Sequence, residues 1–459
     1  MSTAALEYLR NHRESHISLL DEFVRIPSQS GTPELKGEVR RAAKWLVEGL
    51  RKAGGENIEI LDTKGHPAVY ADWLHAESAP TVLIYGHYDV QPPEPLELWE
   101  SPPYAPEVRE GKLFGRGATD DKAGVTSALL ALEAMLKSGE LPSVNLKFCF
   151  EGEEETGSAN LEALLLEHRE RFAADLAVSV DGAHWSVGQP QVVLGLRGAI
   201  AGEILVSGPD HDLHSGLFGG AVLNPAEALC SLIASVRDPN GRIAIDGFYD
   251  DVLELPAKER EAIAKIPGTE ESLLAESGVS ELYGEAGYSP IERTWVRPTF
   301  EINGICSGHT EAGLKTIIPA HATAKFSCRL VANQDPSRIV ACIRRHVERH
   351  TPTAVKAELK IMPVQANPYS MRADHPANLL LIEILESVFG RAPYQAWIGG
   401  SVPVIDMFQQ ILGIDTVSVG FSISNCNLHA PNEFVHLETM HLGTESLVLL
   451  LRGLATVLS

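Results

Sequence analysis

Three short apolar runs constrain this chain more than any other feature: Thr81-Val82-Leu83-Ile84-Tyr85, residues 144–150 and residues 176–180. Runs of that length without polar alternation read as strands covered on both faces, the situation inside a parallel sheet flanked by helices. Helical patterns surround and separate them, at residues 6–24, 37–53, 122–136 and 160–171. Strands alternating with helices predict an α/β fold with a mostly parallel sheet. Near residue 195 the pattern changes. Residues 200–206 alternate, Asn224-Pro225 opens a helix, residues 324–331 and 355–361 read as strands and residues 336–347 as a helix. This compact α+β unit, residues 195–365, divides an α/β domain into a first part, 1–194, and a second part, 366–459. The stretch 240–298 carries only a weak helical pattern, and a last helix begins near Thr439.

Charge narrows the function classes. Lys and Arg number 38 against 61 Asp and Glu, a formal net charge of −23. Such a surface repels phosphate backbones, so nucleic acid is not an expected partner, and anionic membrane surfaces are disfavoured for the same reason. No apolar stretch reaches the length of a membrane span, and the polar, helix-patterned residues 1–25 lack the apolar core of a signal peptide. The six cysteines form no C-x-x-C pair and read as reduced thiols, so a cytoplasmic location is expected.

The candidate chemistry sits where the apolar runs end. Gly86-His87-Tyr88-Asp89-Val90 follows the first of them directly, at the carboxyl end where α/β sheets place ligands. In extended chain His87 and Asp89 share a side, and a carboxylate behind an imidazole fixes its tautomer and strengthens the free nitrogen as a metal ligand. A plain structural His–Asp pair satisfies the same spacing. Asp120 and Asp121, after Gly115-Arg116-Gly117, stand just before a helix, where acids often serve only as caps or dipole partners. The phosphate-loop spacing is absent. The second run leads into Glu151, Glu153, Glu154 and Glu155. If that segment is extended, Glu154 and Glu155 face opposite ways and divide two jobs, one on metal and one on substrate. Asp181 ends the third run, and His429 lies in the polar loop Asn427-Leu428-His429-Ala430-Pro431-Asn432-Glu433. Acids and histidines gathered at the strand ends of one sheet suit two divalent cations, zinc first, with cobalt or manganese as substitutes.

As a set, these residues resemble the co-catalytic metallopeptidase family of aminoacylase, carboxypeptidase G, succinyl-diaminopimelate desuccinylase and the carnosine-type dipeptidases. The likeness covers nearly the whole chain, with motifs in the same order. It implies a di-metal α/β catalytic domain interrupted by an α+β, ferredoxin-like lid and dimerisation domain. It implies that His87 and Asp181 bind one zinc ion, Glu155 and His429 the other, and that Asp120 bridges both. Asp89 would orient His87, Glu154 would be the general base, and the Asp120–Asp121 peptide would be cis. An aspartate at 181 resembles the aminoacylase and dipeptidase branch more than the desuccinylase one.

In the inserted unit, Asp212-Leu213-His214-Ser215-Gly216 is similar to a family segment whose histidine reaches a dimer partner's active site, which implies that role for His214 and a homodimer. Arg329 matches an arginine that grips the substrate's carboxylate, a task suited to its planar fork, and Gly400 and Ser401 match a loop at the substrate's end. Ile398 stands where carnosine-type relatives carry an acid, so amino-end recognition differs here. The implied reaction is hydrolysis of a small peptide, most directly a dipeptide, by a water bridging two zinc ions. An N-acyl-amino-acid amidohydrolase would share every metal ligand. A non-catalytic metal or peptide binder on the same fold would have little use for Glu154.

Overall fold

The three apolar runs become the strands Thr81–His87, Asn145–Glu151 and Leu176–His184. In the computed structural model, which describes residues 3–363, 365–399, 403–423 and 425–458, they are neighbours in a six-stranded sheet. Its order is Glu56–Leu61, Ala68–Trp73, Asn145–Glu151, Thr81–His87, Leu176–His184, Thr416–Ile423. The last four strands pair in parallel, and Ala68–Trp73 and Glu56–Leu61 add an antiparallel margin. The fold is therefore mixed α/β with a mostly parallel central sheet.

Both sheet faces are covered, which is why the central strands dispense with polar alternation. On one face lies the helix Lys122–Ser138, buried along most of its length and packed against Leu437–Gly453 and Ala4–Asn11. On the other, Leu83, Tyr85 and Cys149 meet Leu164, Phe172 and Phe408. The chain passes from Thr81–His87 to Asn145–Glu151 on one side and then to Leu176–His184 on the other. The crevice beyond those carboxyl ends is a topological switch point, the usual ligand position of such sheets.

Contacts divide the chain into two units, Met1–Leu194 with Met371–Gln395 and Pro403–Ser459, and Gly195–Ser370 with Ala396–Val402. Within the second, the strands Gly198–Ser207, Thr299–Ser307, His321–Leu330 and Lys356–Ile361 form an antiparallel sheet. The helices Pro225–Ala234 and Pro336–His350 complete a β-α-β-β-α-β order. Residues of Gly198–Ser207 and His321–Leu330 alternate strictly in burial, and Ile200, Ile204, Phe326 and Cys328 pack under Leu229, Ile339 and Ile343.

Several elements depart from the sequence expectation. The first helix is broken at His12 into Ala4–Asn11 and Arg13–Val24, and the pattern at 160–171 is broken at His168. The weak stretch 240–298 holds three short helices, Ala257–Ala264, Thr269–Ser277 and Pro290–Trp295. Three small strands, Glu107–Arg109, Lys112–Phe114 and Phe434–His436, make a further sheet. Among the described residues no helix is long and apolar enough to cross a membrane.

The helix Lys122–Ser138 enters the sheet at close quarters. A Cβ on Gly124 would stand 2.1 Å from the Val180 carbonyl oxygen and 2.2 Å from Asp121 Oδ1. The first is backbone that cannot swing away. Gly124→Ala is therefore expected to cost roughly 1–3 kcal/mol of stability, the range for overpacking. The urea midpoint of the purified variant checks this, and an unchanged midpoint contradicts the close approach.

Candidate metal centre

His87 is the last residue of its strand and is fully buried. Its Nε2 lies 2.9 Å from Asp120 Oδ1 and 3.9 Å from Asp181 Oδ2. Its Nδ1 faces Asp89, 3.2 Å from the backbone carbonyl and 3.4 Å from Oδ1. The buried Asp89 carboxylate also accepts the backbone N–H groups of Glu154 and Glu155, at 3.2 and 3.1 Å. One acid thus orients both the imidazole and the glutamate turn.

That turn is not extended. Glu154–Thr156 is a single 3-10 turn closed by Gly157 at φ 90°. The two glutamates occupy successive positions of a tight turn, so pleat alternation does not apply to them. The Glu155 carboxylate is held by Gln91 Nε2 at 2.9 Å.

Asp120 is shared. While its Oδ1 faces His87, its Oδ2 lies 2.9 Å from Nε2 of His429, which is in turn 3.3 Å from Glu155 Oε2. Two groups of potential ligands result, His87–Asp120–Asp181 and Asp120–Glu155–His429. Ligand atoms about 2.0–2.1 Å from a tetrahedral zinc stand roughly 3.3 Å apart. Most of these separations bracket that value, and the nitrogen and oxygen donors suit zinc. The residues therefore fit a pair of divalent cations. The Asp120–Asp121 peptide is cis, and Asp121 turns inward to accept the His87 backbone N–H at 3.2 Å.

The electrostatics reflect crowded acids out of water. Burial pushes the Glu154 carboxyl up to about 9, with Asp181, Asp120 and Glu155 adding to the rise against the opposing pull of His87. Burial likewise lifts Asp181 to about 6. Hydrogen bonds to Asp120 and Glu155 raise His429 to about 10. Burial opposes the charge on His87, yet its bonds to Asp120 and Asp89 carry it well above the ordinary histidine value. Burial would raise Asp120, but the two histidines hold it below the usual carboxylate range.

Two residues escaped sequence reasoning. Glu433 and Arg116 form a fully buried pair at 2.6 Å, and Glu433 also accepts backbone N–H groups from Gly117, Thr119 and Asp120. Arg116 was visible only as a side chain between two glycines, and Glu433 only as the acid ending the His429 loop.

The remaining expected site residues belong to the second unit. His214 ends the short strand Leu213–His214, is exposed, and accepts the Gly216 N–H through Nδ1 at 3.0 Å. Arg329 lies half-buried on His321–Leu330 and lines a cavity of about 540 Å³ together with Arg197, Arg237, Arg293, Arg297 and Glu285. Burial, and then the nearby Arg329, lower Arg197 to about 10. Gly400 and Ser401 lie outside the described residues.

A family profile described as peptidase family M20/M25/M40 matches residues 83–453. The Cys-Gly metallodipeptidase dug1 of Schizosaccharomyces pombe is 31% identical, with 98% of each chain covered. The crystal structure of the M20 family metallo-carboxypeptidase Sso-CP2 from Sulfolobus solfataricus superposes with a TM-score of 0.81 at 33% identity, over 95% of this chain and 98% of that one. Human carnosine dipeptidase 1 superposes with a TM-score of 0.78 at 28% identity, over 98% of both chains.

The raised groups fix a pH response for protein stripped by a chelator. An unfolded glutamate has lost its proton by pH 7, whereas folded Glu154 keeps one to about 9, and folded His429 keeps its proton to about 10. These two groups outweigh Lys122, which burial lowers to about 7, so the folded state binds more protons than the unfolded one across this window and its stability falls as pH rises from about 7 to about 9. Thermal melts of stripped protein are expected to show that fall. Added zinc is expected to raise the melting temperature more at the higher pH, because binding competes with those protons. A flat profile in stripped protein contradicts the assignment.

Proposed function

The chain belongs to peptidase family M20/M25/M40, and we propose that it hydrolyses the amide bond of dipeptides with two zinc ions held at this centre. The observation that carries the reading is the double engagement of Asp120, whose two oxygens each face a different histidine at 2.9 Å. His87, Asp120 and Asp181 would hold one ion, and Asp120, Glu155 and His429 the other. Bound there, divalent cations would supply Lewis acidity and lower the pKa of a water molecule. Relatives named as metallodipeptidases match this chain over nearly its full length, which supports a dipeptide substrate.

Glu154 takes the proton of the attacking water and delivers it to the leaving amine. Burial and the neighbouring acids raise its carboxyl in the metal-free protein, whereas a base must start ionised. Nearby cations would favour its ionised form and return it to the working range. Asp89 keeps the His87 ring turned so that Nε2 faces the centre. Arg329 is read as the anchor for the substrate's carboxylate, supported by the arginine-rich cavity around it. Gly400 and Ser401 are assigned to the same end of the substrate by family likeness. By that likeness, residues 195–365 act as a lid and dimerisation domain, and His214 stabilises the oxyanion in a partner subunit's site. Cobalt or manganese would serve in place of zinc.

A hydrolysis panel tests the substrate class, comparing dipeptides with N-acyl amino acids and longer peptides. Dipeptides are expected to give the highest kcat/KM, and preference for acylated amino acids would replace the dipeptidase reading with an acylase one. Glu154→Gln should keep both metals and lose at least about 10²-fold in kcat. Near-normal turnover removes Glu154 from the role of base. His214→Ala should be inactive alone but regain activity in mixed dimers with Glu154→Gln. Absence of any such rescue argues against sharing between subunits.

A further inference from the structure

The loops that carry Asp120 and His429 are joined by an antiparallel strand pair. Lys112–Phe114 leads into the first and Phe434–His436 follows the second, with Phe434 opposite Phe114. At that junction Glu433 faces Arg116, and both side chains are only 1% exposed. Both Glu433 carboxylate oxygens are in use. Oε2 accepts from Arg116 Nη1 at 2.6 Å and from the Gly117 N–H at 3.0 Å, and Oε1 accepts from the N–H groups of Thr119 and Asp120 at 3.0 and 3.3 Å. The Glu433 backbone carbonyl accepts the Gly115 N–H at 2.9 Å. Arg116 donates further to the Pro92 carbonyl at 3.2 Å.

The other loop is held just as closely. Asn427, His429 and Asn432 all have positive φ, near 60°, a conformation that costs a side-chain-bearing residue and persists only when surroundings impose it. Asn432 supplies part of that restraint by bonding Glu100 N–H and the Leu98 carbonyl, and Glu433 follows it directly.

We propose that Glu433 and Arg116 are positioning residues that set the spacing of Asp120 and His429, and so govern the ion held by Asp120, Glu155 and His429. The inference rests on the reading of those three residues as metal ligands. In the other group His87 and Asp181 stand on neighbouring strands of the central sheet, and only the shared Asp120 ties their ion to the clamp. The donor pattern also dictates the residue type. Four N–H donors converge on two oxygens, so a glutamine amide would turn its own N–H groups toward donors. An aspartate would fall one methylene short.

The test is a zinc titration of chelator-stripped protein by calorimetry, alongside thermal melts, for wild type, Glu433→Gln and the double variant Arg116→Met with Glu433→Met. Wild type taking up two equivalents per chain supports the parent reading, and wild type taking up none overturns it whatever the variants do. With two wild-type equivalents in hand, Glu433→Gln is expected to weaken one of them about 10–100-fold, the range for supports behind a metal ligand, and to weaken the other clearly less, through the shared Asp120 alone. The double variant removes both buried charges and so avoids an unpaired buried arginine, which should place its melting temperature above that of Glu433→Gln, while three backbone N–H groups still keep it below wild type. Its weakened equivalent should stay weak, because the backbone donors have lost their acceptor. If stability and both equivalents recover together in the double variant, the pair is structural only and the inference fails. It also fails if Glu433→Gln binds both equivalents as wild type does, or weakens both equally. Should Glu433→Gln not fold, the double variant alone decides between the same outcomes.

Discussion

A carboxylate that meets one imidazole through each oxygen is assembled here from segments far apart in the chain. Asp120 does this with His87, on the central strand of the sheet, and with His429, more than three hundred residues later. The rest of the first unit can be understood as the scaffold this meeting requires. The parallel strands bring His87 and Asp181 to one edge, Asp89 turns the imidazole and the glutamate turn together, and the small Lys112–Phe114 and Phe434–His436 strands bring in the distant loop.

That meeting concentrates negative charge where water is scarce. Asp89, Asp121, Glu151 and Glu433 are all nearly or fully buried near the candidate ligands. Glu151 is bonded by Tyr85 and Ser158 and is still lifted to about 7 by burial. Arg116 offsets one carboxylate, and Lys122 spends its ammonium on the Phe23 and Ile26 carbonyls. The protons retained by Glu154 and His429 are the protein's own way of balancing this charge, and divalent cations would balance it without them.

What was legible in the sequence follows from how each element is buried. Strands covered on both faces announce themselves as unbroken apolar runs, so Thr81–His87, Asn145–Glu151 and Leu176–His184 were visible. Ala68–Trp73 is just as buried but was missed. It carries Asp72, whose charge hides the pattern and which is accommodated by Asn57 and the Tyr70 hydroxyl. The breaks at His12 and His168 were invisible because apolar periodicity runs on through them. His87, Asp120, Glu155 and Asp181 stand out because each ends or follows an apolar run or a glycine-rich turn, although the strand bearing Asp181 runs on to His184, and His429 lies in a polar loop. Glu154 and Glu155 lie in a 3-10 turn that the sequence does not distinguish from extended chain. Arg116 and Glu433 had no local signal, since their meaning lies in a pairing between segments far apart.

The insertion of the second unit has a consequence for how the molecule is born. A ribosome must finish all of Gly195–Ser370 before it makes Thr416–Ile423, the strand that lies beside Leu176–His184, and only then does it make His429. Until then a nascent chain offers His87, Asp120 and Asp181 without the partner that closes the second group. On the proposed reading of these ligands, metal encountered during synthesis would meet a half-built nest, and full loading would wait on the return of the polypeptide to the fold it left.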